Sequence, residues 1–123
     1  MPPIPPPETL GTTSAQPDGA QPSFNPLVAQ KDVDVGTFYL KRGDVDAAID
    51  RYTEATRTYP TYAQPWLLLG QAYEKKGDLD STIKAYQKYL QLYPHAPTRA
   101  KLESHIAELQ TKLQRETQKP AGK

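Results

Sequence analysis

"KRGDVDAAI" runs from Lys41 to Ile49, and "KKGDLDSTI" runs from Lys75 to Ile83, thirty-four residues later. Sliding the chain by thirty-four residues and comparing 32–60 with 66–94 gives ten identities in twenty-nine positions. They are Gly36/Gly70, Tyr39/Tyr73, Lys41/Lys75, Gly43/Gly77, Asp44/Asp78, Asp46/Asp80, Ile49/Ile83, Tyr52/Tyr86, Tyr59/Tyr93 and Pro60/Pro94. A turn used twice by chance would not carry matching tyrosines and prolines on both sides, so the spacing is the period of the protein. A fixed period of a few tens of residues marks stacked supersecondary units, each too small to bury its apolar face alone.

Each unit reads as two helices. In the second unit Pro65 suits a first helical turn, where a missing N–H costs nothing, and Trp66, Leu69 and Tyr73 mark one buried stripe. Gly77 ends that helix because glycine accepts the left-handed conformation cheaply. Asp78 or Asp80 then caps the next helix or favours its positive end. Leu79, Ile83, Tyr86 and Leu90 form the next stripe, which Pro94 stops. The first unit repeats this with Val35, Tyr39, Gly43 and Asp44, then Val45, Ile49 and Tyr52.

"WLLLGQAY" (66–73) resembles the tetratricopeptide opening, Trp-x2-Leu-Gly-x2-Tyr, and thirty-four residues is that family's period. The rest of the pattern follows as Ala48-x3-Tyr52 closing at Pro60 and Thr82-x3-Tyr86 closing at Pro94. Gly36 and Gly70 allow close helix approach, and Tyr39 and Tyr73 are expected to fill the groove between paired helices. Asp32 in the place of Trp66, Thr82 for a small alanine and Tyr89 opposite Ala55 depart from the pattern, and the weaker first unit suits an end of the stack. "DVDVGTFYLKRGDVDAAIDRY" (32–52) also resembles, in one module only, the repeats of outer-membrane assembly lipoproteins of the β-barrel assembly machinery. Their signal, lipidated cysteine and additional repeats have no counterpart here, so no lipid anchor is carried over.

Residues 97–116 carry Leu102, Ile106, Leu109 and Leu113 with charges between them, and read as a capping helix with a polar outer face rather than a two-heptad coiled coil. The expected fold class is therefore all-α: a right-handed α-solenoid of two tetratricopeptide helix hairpins plus a C-terminal capping helix, preceded by a disordered Pro-rich tail. The expected boundaries are 1–27 for the proline-rich segment and 28–116 for the repeat domain. Within the domain, repeat one is about 29–62, repeat two about 63–96 and the cap about 97–116. Residues 117–123 are expected to fray.

Composition bounds the function. Eight of thirteen prolines precede residue 27, in a stretch whose only charges are Glu8 and Asp18, which reads as a solvated spacer of polyproline character, with a ligand for a proline-recognition domain as the alternative. All fifteen Lys and Arg lie after residue 30 against twelve acids, a balance of +3 and mixed sign that reads as solvated helix faces and gives no nucleic-acid partner. No apolar run is long enough to span a bilayer, so no direct membrane insertion is expected. The expected location is soluble, cytoplasmic if the chain is complete, periplasmic or envelope-associated if a signal has been removed. With no cysteine there is no disulfide or thiolate site. Arg42-Gly43-Asp44, an adhesion tripeptide in other contexts, has its twin in Lys76-Gly77-Asp78 and is explained by the repeat. His95 and His105 are not spaced as a helical metal pair, and no phosphate loop or nucleophile turn is present. No metal, no cofactor and no catalysis are expected. Tyr39, Tyr52, Tyr73 and Tyr86 sit at core positions of the resembling family, and Tyr59 and Tyr93, before the closing prolines, are expected to pack at helix ends, which leaves Tyr62 and Tyr89 as the free tyrosines needing another account.

The resemblance implies a non-catalytic protein–protein interaction module, binding a peptide or partner segment in a groove lined by the first helix of each pair. Carried over by position, the lining is Gln30, Val33, Thr37, Leu40 and Lys41 from the first unit. Gln64, Leu67, Gln71, Glu74 and Lys75 come from the second, and Thr98, Lys101 and His105 from the cap. Val33, Leu40 and Leu67 are expected to offer exposed apolar area, or else to be covered by the chain's own "FNPLV" (24–28). The alternative is a structural or self-assembling subunit of a bacterial-envelope-type complex acting through its end faces. Two repeats and a cap fall short of the three needed for a continuous core, so a homo-oligomer through Phe24, Leu27 and Val28 is a second expectation.

Overall fold

The computed structural model describes residues 24–118. They form five helices and no strand: α1 (Pro26–Lys41), α2 (Val45–Thr58), α3 (Gln64–Lys76), α4 (Leu79–Leu92) and α5 (Arg99–Gln118). The expectations for residues 1–23 and 119–123 lie outside the described residues. The expected boundary at 27 falls inside α1, whose first turn is set by Pro26 and by Asn25, whose side-chain oxygen accepts from the Val28 N–H at 3.2 Å. Asn25 also donates its own N–H to Thr58 O at 2.8 Å, and the Phe24 ring stands edge-on to Tyr59 at 4.8 Å. Phe24 and Asn25 are thus tied to the end of α2, and helical order at the other end runs through Gln118.

The two tight turns follow the repeat. Gly43 and Gly77 take φ of +91° and +88°, a region that a side chain would strain. Their caps differ. Asp78 accepts from both the N–H (3.1 Å) and the hydroxyl (2.9 Å) of Ser81, whereas the equivalent Asp44, with Ala47 in the place of Ser81, makes no side-chain cap bond.

Helix α2 packs on both α1 and α3, and α4 on both α3 and α5. One apolar cluster gathers Ala29, Val33, Ala48, Ile49, Tyr52, Ala55, Leu69, Ala72 and Ala85. A second joins Leu79, Ile83 and Tyr86 to Ile106 and Leu109 of the cap. The groove filling differs from expectation: the rings against Gly36 and Gly70 are Tyr52 and Tyr86, from the second helix of each hairpin. Tyr39 and Tyr73 instead pack half-buried on the first cluster. Tyr89, expected to be free, is a core residue at 7% exposure, because α4 is covered on both sides by α3 and α5.

Candidate functional site

The first helices are linked to one another by side chains as well as through the second helices. The Tyr62 hydroxyl donates to Gln30 Oε1, while Gln30 donates through Nε2 to Asp34 at 3.1 Å. Having one proton, that hydroxyl meets the Gln64 amide, 2.7 Å away, as an acceptor, with Gln64 presenting its NH2 group. Tyr62, left unexplained by its sequence position, thus ties the start of α1 to that of α3. Farther along, Glu74 of α3 accepts from the Tyr86 hydroxyl at Oε1 (2.8 Å) and bonds His105 Nε2 of α5 at Oε2 (2.8 Å). Burial, then the Glu74 carboxylate, pushes the Tyr86 hydroxyl far above its ordinary range, so it stays a donor. In the first hairpin the equivalent ring, Tyr52, shares a hydrogen bond with Thr37 at 2.8 Å, and burial again raises its hydroxyl.

These bonds sort the expected lining residues. Val33 is 3% exposed and belongs to the core, so it offers no apolar surface. It is buried by the first cluster itself, and "FNPLV" does not cover it: Phe24, Leu27 and Val28 are exposed. Leu40 and Leu67 are half-buried, packed on the first and second clusters. Thr37 and Glu74 are half-buried, the first bonded by Tyr52 and the second with both oxygens engaged. His105 is held by Glu74, with Glu108 at 3.7 Å from its other ring nitrogen. Gln30 and Gln64 are exposed but occupied by Tyr62. Lys41, Gln71, Lys75, Thr98 and Lys101 are exposed, and none of the three lysines makes an ion pair within the described residues. A tyrosine rather than a phenylalanine at a core position of both repeats was the available signal for the Thr37 and Glu74 links, since a buried hydroxyl needs a partner.

Elsewhere the perturbed groups have structural causes. Asp32 of α1 is raised by burial, against the opposing pull of Arg51 at 3.3 Å. Burial likewise raises Tyr62 and Tyr89. Among the described residues no group of three or more His, Cys, Asp or Glu is placed to hold a metal ion. No described helix is long and apolar enough to cross a membrane.

The tetratricopeptide repeat family model matches residues 36–97, which is half the chain and contains both glycine–tyrosine contacts and both tight turns. The chain belongs to the tetratricopeptide repeat family. Proteins built from these repeats are generally non-catalytic modules that mediate protein–protein interaction. Among solved structures the chain is similar to the MamA protein, at a TM-score of 0.55 and 21% identity over 76% of this chain. That match covers 59% of the MamA chain, so this protein spans about three fifths of the neighbour's length and shares its fold. No curated protein matches the sequence.

Proposed function

We propose that this tetratricopeptide protein binds an extended, acidic segment of a partner protein along its first helices. The observation that carries the reading is the division of labour on α1, α3 and α5. Glu74, the one carboxylate of the expected lining, is already consumed by Tyr86 and His105, while Lys41, Lys75 and Lys101 stand exposed with no ion pair among the described residues. The polar groups left for a ligand are therefore cationic or, at Gln71, able to bond a peptide backbone. Leu40 and Leu67 add a half-buried apolar floor. Rim charges of this kind act mostly on partner choice and association rate.

The test is fluorescence anisotropy with short labelled peptides of alternating Glu-Ser or Lys-Ser sequence, on the full chain and on Lys41→Glu/Lys75→Glu. Both lysines are exposed, so circular dichroism of the variant should match the parent. The acidic peptide is expected to bind the parent and not the variant. Equal binding of both peptides, unchanged binding by the variant, or no binding of the acidic peptide at millimolar concentration would each overturn the reading.

A second reading, a structural subunit acting through an end face, is favoured by one observation. Phe24, Leu27 and Val28 at the start of α1 are 64%, 83% and 43% exposed.

A further inference from the structure

The thirty-four-residue register compares the two ends of the stack position by position. In α3, Pro65 and Ala72 are buried, and Leu68 packs on the cluster that contains Ala48, Ile49 and Tyr52 of α2. This is the face that meets the preceding hairpin. One period earlier the same positions are Lys31, Asp34 and Phe38 of α1, and no helix precedes α1 among the described residues. Lys31 and Asp34 are exposed, Phe38 is 41% exposed, and Leu27 completes the stripe one turn earlier at 83%. The other end is different. Ala100, Glu103, Ser104 and Ala107 of α5, which occupy the positions of Trp66, Leu69, Gly70 and Tyr73, are all exposed and small or polar. A head-to-tail stack would set Leu27 and Phe38 against that polar cap and bury little apolar surface.

Residues 27, 31, 34 and 38 recur at spacings of four, three and four, so they form one ridge of the helix. Their order, apolar, positive, negative, apolar, is complementary to its own reverse. We propose that α1 is a self-complementary docking face whose occupant is α1 of a second copy, antiparallel about a two-fold axis between Asp32 and Val33. This rests on the end-face reading and adds its partner and register. Leu27 then meets Phe38 of the second copy, and Lys31 meets Asp34, each pair occurring twice as an isologous contact requires. Lys31 has no ion-pair partner within the described residues, and Gln30 donates to Asp34 at 3.1 Å and steadies its carboxylate. One helix pair is a small interface, so the dimer is weak and concentration-dependent.

The experiment is sedimentation of the full chain over a wide concentration range. The parent should dimerise reversibly and Leu27→Glu should be monomeric. Lys31→Asp and Asp34→Lys should each weaken the dimer about tenfold, since each sets like charges together twice. The Lys31→Asp/Asp34→Lys variant should regain parental affinity, because the two charges have changed places. A parent monomeric throughout overturns both this proposal and the end-face reading. A dimer that Phe24→Glu or Val28→Glu abolishes, but that the charge reversals leave unchanged or the double variant fails to restore, overturns the register alone.

Discussion

Gly70→Ala should destabilise the protein even though it places the best helix former in the middle of α3. Helix propensity alone favours the change by about 1 kcal/mol. Yet a Cβ at position 70 would lie 2.2 and 2.3 Å from two ring carbons of Tyr86, where ordinary contact begins at 3.4 Å, so the ring must retreat by about 1.2 Å. The ring belongs to a core residue bonded at its far end to Glu74, and retreat both overpacks the α3–α4 contact and stretches that bond. Overpacking costs about 1–3 kcal/mol and a hydrogen bond to a charged group is worth about 1.5–3 kcal/mol. Partial relaxation and the propensity gain leave a net loss of about 2–3 kcal/mol, or roughly 10–20 °C in Tm for a domain this small. Gly36→Ala is the internal control. Its Cβ would stand 2.7 Å from Tyr52, a deficit of about 0.7 Å, and that hydroxyl bonds the neutral Thr37. Its net cost should be about 1 kcal/mol or less. Urea titrations followed by circular dichroism give both values. In a Tyr86→Leu background, which removes the ring, Gly70→Ala should become neutral or favourable. A Gly70→Ala protein as stable as the parent, or a larger loss at Gly36, would refute the argument that these glycines exist for the rings.

Three further outcomes follow from single contacts. The hydroxyls of Tyr52, Tyr62, Tyr86 and Tyr89 are all raised, chiefly by burial, so the folded chain keeps protons that the unfolded chain loses near pH 10. That stability is complete below pH of about 10 and is lost as pH rises further; Tm from thermal melts should fall with pH in that range, and Tyr86→Phe should reduce the slope of that fall. Trp66 Nε1–H is buried with no acceptor among the described residues, and leaving a buried donor unsatisfied costs about 1–3 kcal/mol. Trp66→Phe should therefore stay within about 1 kcal/mol of the parent despite its smaller volume, and a loss above about 2 kcal/mol in urea titration would contradict this. Asp32 sits where the second repeat has Trp66, and its pairing with the half-exposed Arg51 works against burial. Asp32→Leu should be neutral or stabilising by up to about 1 kcal/mol, because Arg51 turns to solvent; marked destabilisation would show the ion pair to be the stronger element.

What the sequence determined by itself is the repeat and everything local to it. A period of thirty-four residues, Gly43 and Gly77 at the turns, Asp78 before α4, and prolines closing each unit specify the first four helices in order, because caps, turns and stripes depend on neighbours a few residues away. The cap was legible for the same reason, in the stripe from Leu102 to Leu113. Contacts between helices were not. Val33 reads as groove lining when carried over by position, yet it is buried, because which side of a helix is open depends on how its neighbours close over it. Tyr89 reads as spare and is core for that reason, while Phe38, one period before the fully buried Ala72, is exposed because no hairpin precedes α1 among the described residues. Likewise only the tertiary structure decided that Glu74 and His105 meet each other. Their separation of thirty-one residues carries no local signal, and it is the stacking of α5 beside α3 that closes it to 2.8 Å.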